Sequence, residues 1–122
     1  MLLNSFFFID SMATIGNEMK ASLRLAKRHP IFSGHFPGKP VVPGVCMLQI
    51  IKEIIEKKEG KNYFLHEASS LKFLSVLDPE ACSEVELAII IEKRTEDSIQ
   101  INGTIFAGPV TFFKMKASLK LA

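Results

Sequence analysis

The 122-residue chain has no tryptophan, a single tyrosine, two cysteines and three histidines. Cys46 and Cys82 lie far apart with no Cys-x-x-Cys spacing, which excludes a disulfide framework or a zinc knuckle of the usual kind. They read as small core residues in a reducing compartment, and no metal is expected. No apolar run approaches the ~20 residues that a membrane-spanning helix needs, so no membrane partner is expected. The N-terminal stretch has no basic leader, and Asn4, Ser5 and Asp10 interrupt it, which argues against an export signal. Charge of one sign is also missing. Fifteen basic and thirteen acidic residues are spread along the chain for a net charge of +2, unlike the clustered stripe of a nucleic-acid binder. The expected setting is the cytoplasm.

Repeats, low-complexity tracts and linker-like shifts in composition are absent as well, so residues 1–122 are expected to form one domain. What the chain does have is apolar bulk. Hydrophobic residues make up 48%, including ten phenylalanines, which is enough for a packed core at this length.

The pattern of that bulk changes along the chain. Residues 5 to 15 are Phe-rich and end in the turn signal Gly16-Asn17, and residues 19 to 25 alternate Ala21, Leu23 and Leu25 against Lys20, Ser22 and Arg24. Both segments predict strands. From His29 to Gly44 the chain is dense in Gly and Pro, and Pro30, Pro37, Pro40 and Pro43 exclude a regular helix until Pro43 is passed. From Val45 to Glu59 the period becomes helical. Met47, Leu48, Ile50, Ile51, Ile54 and Ile55 form an apolar arc, Lys52, Glu53, Glu56 and Lys57 form an opposite face expected to be solvated, and Gly60 is the expected C-cap.

Four more strands are predicted over Tyr63 to Phe73, Ser83 to Lys93, Ser98 to Ala107 and Pro109 to Leu121. The last alternates Phe113, Met115, Ala117 and Leu119 with Lys114, Lys116, Ser118 and Lys120. One helix with a wide apolar arc among about six antiparallel strands gives an α+β class, with a curved sheet wrapped around the helix. Strand order does not follow from this pattern.

The string from Gly34 to Val45, GHFPGKPVVPGV, resembles the active-site segment of the FabA/FabZ family, the hotdog-fold 3-hydroxyacyl-acyl-carrier-protein dehydratases of fatty-acid synthesis. The likeness is contiguous through His35-Phe36-Pro37-Gly38 and Pro40-Val41-x-Pro43-Gly44-Val45, and a helix follows. It extends more weakly to Leu71-Lys72-Phe73 and the turn near Pro79. The resemblance implies a hotdog fold and a lyase that dehydrates a 3-hydroxyacyl thioester on the phosphopantetheine arm of acyl carrier protein. It implies no cofactor, and a homodimer or dimer of dimers in which each site takes the His from one subunit and the helix residue from the other.

Dehydration needs a base for the proton beside the carbonyl, a donor for the thioester oxygen and help for the departing hydroxyl. His35 suits the first role, since imidazole titrates near neutrality, and the family's His has that role. The N–H of Gly44, at the start of a helix entered through Pro43, is suited to the second; Phe36, Pro43 and Val45 would line the substrate site. Gln49 is the departure. The resembling dehydratases carry Glu or Asp at that position, and an amide can orient a hydroxyl or a water but cannot deliver a proton at neutral pH. The helical wheel also places Gln49 on the polar side with Lys52, Glu53 and Glu56.

Two other readings compete: an acyl thioesterase in which Gln49 positions the attacking water, and a non-catalytic acyl-carrier-binding partner subunit of another hotdog protein. His29 and His66 lack a motif and are expected at the surface or in packing. Cys46 is expected to be a small lining residue, not a nucleophile. Arg24, Lys27, Arg28, Lys114, Lys116 and Lys120 could together offer a basic surface to an acidic carrier, although alternating strand charges ordinarily mark only a wet face.

Overall fold

The computed structural model describes residues 1–32 and 41–122. Six strands and one helix follow in the order β1 (Phe7–Ile15), β2 (Glu18–Leu25), α1 (Gly44–Glu59), β3 (Tyr63–Phe73), β4 (Glu84–Arg94), β5 (Ser98–Ala107) and β6 (Val110–Leu121), with a short 3-10 turn at Pro30–Phe32. All strands join one antiparallel sheet in the order β1-β2-β4-β5-β6-β3. This is the hotdog arrangement the sequence led us to expect, a curved sheet around one helix.

The period-two pattern decides which face of the sheet meets the helix. Ala21 pairs with Leu87 and Leu23 with Val85, while Ile101 pairs with Ala117 and Ile105 with Phe113, all of them buried. The alternate residues Lys20, Arg24, Lys114 and Lys116 are exposed. Against this floor α1 buries Met47, Ile50, Ile51, Ile54 and Ile55, each of the fully buried isoleucines contributing roughly 1.5–3 kcal/mol. Gly103 lies beneath the helix, and a Cβ there would come within 3.0 Å of Ile51 Cδ1, so the missing side chain lets α1 sit close to β5. The helix ends where Gly60 takes the left-handed conformation at φ 67° and its N–H donates to the Glu56 carbonyl.

Two expectations are corrected. Residues 5 and 6 belong to a turn and not to the first strand. Asn4 at φ 68° reverses the chain, the Phe6 N–H donates to the Leu2 carbonyl at 2.7 Å, and Leu2 and Leu3 fold back toward α1. The charged face of α1 is not a solvated face throughout. Glu53 is 2% exposed because the returning N-terminal segment covers it, and the Lys52–Glu56 pair is also largely shielded.

The two edges of the sheet differ from its interior. On β3, only Tyr63 is fully buried, and Phe64, Leu71 and Phe73 are exposed apolar residues, followed by exposed Leu74 and Val76. One side of β3 pairs with β6, and among the described residues its other side has no strand partner.

Candidate active site

The start of α1 is shaped by a proline that can offer no side-chain cap. Pro43, at φ −62° and ψ 145°, is the cap residue, and its carbonyl accepts from the N–H groups of Cys46 (3.0 Å) and Met47 (3.3 Å). The N–H groups of Gly44 and Val45 therefore have no acceptor among the described residues, as the first donors of a helix ordinarily do not. No acidic residue stands in the first turn to neutralise this positive end of the helix dipole.

Beside these donors lies a cleft of about 410 Å³ between the helix start and the segment after β3. One wall is Val41 to Gly44 with Met47, and the other is Phe73 to Leu77. Backbone bonds fix both walls. The Leu74 N–H donates to the Phe112 carbonyl at 2.9 Å, and the Val42 N–H donates to the Leu77 carbonyl at 2.8 Å, so the second wall is tied to β6 and to the approach to the helix. A backbone donor beside an apolar cleft is suited to a carbonyl oxygen that gains charge.

Gly44 is required here for a specific steric reason. A Cβ at this position would collide with the Phe73 ring, coming within 2.8 Å of Cζ. The ring in turn packs on buried Phe113 with centroids 5.0 Å apart. Phe73 is the lining residue that sequence reasoning left without a role, although it stood in the Leu71-Lys72-Phe73 string. The signal available was a phenylalanine ending a strand just before the apolar run Leu74 to Leu77.

The candidate residues do not all share this cleft. Pro43 and Gly44 line it. Val45, 72% exposed, and half-buried Gln49 one turn later occupy the adjoining face of α1. His35 and Phe36 lie outside the described residues. His29 packs edge-on against Phe6 and its Nδ1 accepts the Ile31 N–H at 3.1 Å, while His66 is exposed.

Gln49 is engaged by a residue that the sequence reading had left in solvent. Its Nε2 donates to Glu53 Oε2 at 2.8 Å. The Glu53 carboxylate also accepts the Leu2 N–H on both oxygens (2.9 and 2.8 Å) and the Leu3 N–H at 2.8 Å. Burial works against its charge, but the bonds from Leu2, Gln49 and Leu3 outweigh burial and hold the carboxyl below the usual glutamate range. The i,i+4 spacing of Gln49 and Glu53 was the sequence signal for this pair.

Cys46 is buried, and burial pushes its thiol up, away from a reactive thiolate. The basic residues are divided among different settings. Arg24 is committed to Asp10 at 2.7 Å and to the face of Phe8, and Lys114 and Lys116 line a shallow outer groove with Lys72. Among the described residues no cluster of His, Cys, Asp and Glu could hold a metal ion, and no helix is long and apolar enough to cross a membrane.

Comparison with known proteins finds dehydratases by sequence, and both dehydratases and thioesterases by structure. A family model described as ApeI dehydratase, ApeI-like, matches residues 11–106. A 3-hydroxyacyl-(acyl-carrier-protein) dehydratase FabZ from Caldicellulosiruptor saccharolyticus is 30% identical over 94 residues, which is 70% of this chain and 67% of that protein. The corresponding protein of Haemophilus influenzae strain PittEE is 28% identical over 99 residues, 73% of this chain and 67% of that one. Among solved structures, the dehydratase heterocomplex ApeI:P from Xenorhabdus doucetiae superposes with a TM-score of 0.72 at 18% identity, covering 93% of this chain and 96% of the other.

Proposed function

The chain belongs to the ApeI-like family of dehydratases, and on that premise we propose that it dehydrates a 3-hydroxyacyl group carried on acyl carrier protein to the trans-2-enoyl thioester, in fatty-acid synthesis or a related polyene- or polyketide-type route. The observation that carries this reading is the Gly44 N–H at the start of α1, which has no acceptor among the described residues and lies beside an apolar cleft. A thioester carbonyl hydrogen-bonded there becomes a better electron sink as the neighbouring proton leaves.

His35 takes the proton from the carbon beside the carbonyl, the electrons form the new double bond, and the bond to the 3-hydroxyl breaks. The imidazolium then gives the same proton to the departing oxygen, so water leaves and His35 returns to its neutral form. Gln49 orients the hydroxyl and donates no proton. Phe36, Pro43 and Val45 contact the acyl arm. No redox cofactor or metal enters this balance.

The reading includes a homodimer, with His35 and Gln49 of one site coming from different subunits, working in the cytoplasm where the carrier protein is expected. Support comes from β3, a sheet edge with no further strand partner among the described residues and with exposed Phe64, Leu71 and Phe73, the kind of edge that proteins ordinarily cover.

The test is incubation of the purified protein with a 3-hydroxyacyl carrier-protein thioester, followed by mass spectrometry. Loss of water in the wild type and a fall of roughly 10²-fold or more in His35→Ala is expected. An equal background rate in both proteins overturns the dehydratase reading, and release of free acid and free carrier thiol replaces it with a thioesterase.

A further inference from the structure

We propose that Glu53 is a positioning residue that decides which end of the Gln49 amide the active site meets, holding the Nε2–H end and leaving Oε1 as the acceptor for the substrate's 3-hydroxyl. The inference rests on the role given above to Gln49 and names what controls it.

Glu53 is the buried charged residue of the described chain, 2% exposed beneath the returning N-terminal segment. Both its oxygens are occupied by donors, Oε1 by the N–H groups of Leu2 and Leu3, and Oε2 by the Leu2 N–H and Gln49 Nε2. A carboxylate only accepts hydrogen bonds, so an amide beside it has to turn its NH2 toward it. The orientation of Gln49 thus follows from chemistry as well as geometry. An unrestrained glutamine could rotate its amide end for end and offer either a donor or an acceptor.

The choice of end matters to the elimination. When the substrate O–H donates to Gln49 Oε1, both lone pairs of the substrate oxygen stay free for the proton coming from His35. If Gln49 offered its NH2 instead, it would hold the substrate oxygen through one of its two lone pairs and leave the O–H free to turn, so the hydroxyl would lose the orientation that presents it to that proton. Gln49 also lies one turn beyond exposed Val45, on the open side of α1, and among the described residues nothing donates to its Oε1.

Glu53→Gln supplies the reversal. The new amide can accept from Leu2 and Leu3 through its oxygen and donate to Gln49 through its nitrogen, turning the Gln49 amide over. The experiment is a double-mutant cycle with a 3-hydroxyacyl carrier-protein thioester, run below the unfolding transition of every variant. Glu53→Gln is expected to lower kcat tenfold or more with KM within twofold, and to change kcat less than twofold in a Gln49→Leu background. Equal fold losses in both backgrounds would make Glu53 merely structural and overturn the proposal.

A second measurement needs neither turnover nor a substitution. In nitrogen-15 spectra of the wild type, the side-chain amide protons of Gln49 should exchange slowly with solvent and lie apart from those of exposed Gln100, the chain's other glutamine. Matching behaviour of the two amides overturns the pair. Failure of the wild type to release water, with the Gln49 signals still distinct, would instead remove the dehydratase reading and leave the Gln49–Glu53 pair intact.

Discussion

The ring of Phe73 occupies the space that a side chain at Gly44 would need. The strand β3 and the start of α1 therefore share one steric boundary at the cleft, and Phe113 backs the ring from the core. Gly44→Ala should push the half-exposed ring aside and so distort the cleft more than the fold. We expect a stability loss of about 1 kcal/mol with a much larger fall in turnover. Thermal unfolding of Gly44→Ala alone and combined with Phe73→Ala checks this, since the second change removes the obstacle. A stability loss unchanged in the double variant would place the strain elsewhere.

The edge of β3, unpaired by any strand among the described residues, makes an assembly prediction. Leu71 is 41% exposed on that strand, opposite Met115 of β6. Leu71→Lys sets a charge on the edge, a device that discourages strand pairing. Sedimentation should show the wild type at twice the chain mass and the variant at the chain mass, with turnover lost alongside. A dimeric, fully active Leu71→Lys would remove β3 from the subunit contact.

Glu53 contributes a stability that depends on acid. Its carboxyl titrates lower in the folded chain than in the unfolded one, so the folded state binds fewer protons in that window. The contribution is complete above the unfolded value of about 4.3 and is lost as pH falls through the lower folded value. Glu53→Gln should therefore cost about 1–3 kcal/mol at pH 7, and the gap from wild type should close on acidification. Urea unfolding across pH 7 to 3 reads it, and a gap independent of pH would contradict the assignment.

Gln49→Glu puts a second carboxyl within hydrogen-bond reach of the first. Two carboxylates at that distance share a proton, and one of them titrates high. The sign is opposite to the wild-type case: a raised folded value lowers stability at neutral pH, and stability returns as pH falls through it. Unfolding measurements should find the variant weaker than wild type at pH 7 and relatively stronger near pH 5. Identical pH curves would mean that residue 49 does not face Glu53.

Much of this was legible in order along the chain. Alternation in β2 and β6, the proline limit on the start of α1 and the glycine at its end are local properties, set by side-chain period and backbone sterics within a few residues. The string from His35 to Val45 likewise pointed to the dehydratase family, and the family match agrees with it. The resemblance also marked Gln49 as a departure from the Glu or Asp it implies there, and an amide cannot deliver a proton at neutral pH.

Only the tertiary structure decided the rest, since those features depend on residues far apart in the chain. The strand order β1-β2-β4-β5-β6-β3 is a choice among pairings that all satisfy the same alternation. The Phe73 wall arises where β3 returns past the start of α1. Glu53 looked like one charge on a wet helix face, and became a buried anchor when Leu2 and Leu3, some fifty positions earlier, folded back and brought it two backbone donors. A helical wheel assigns a face, but what covers that face is set by long-range packing.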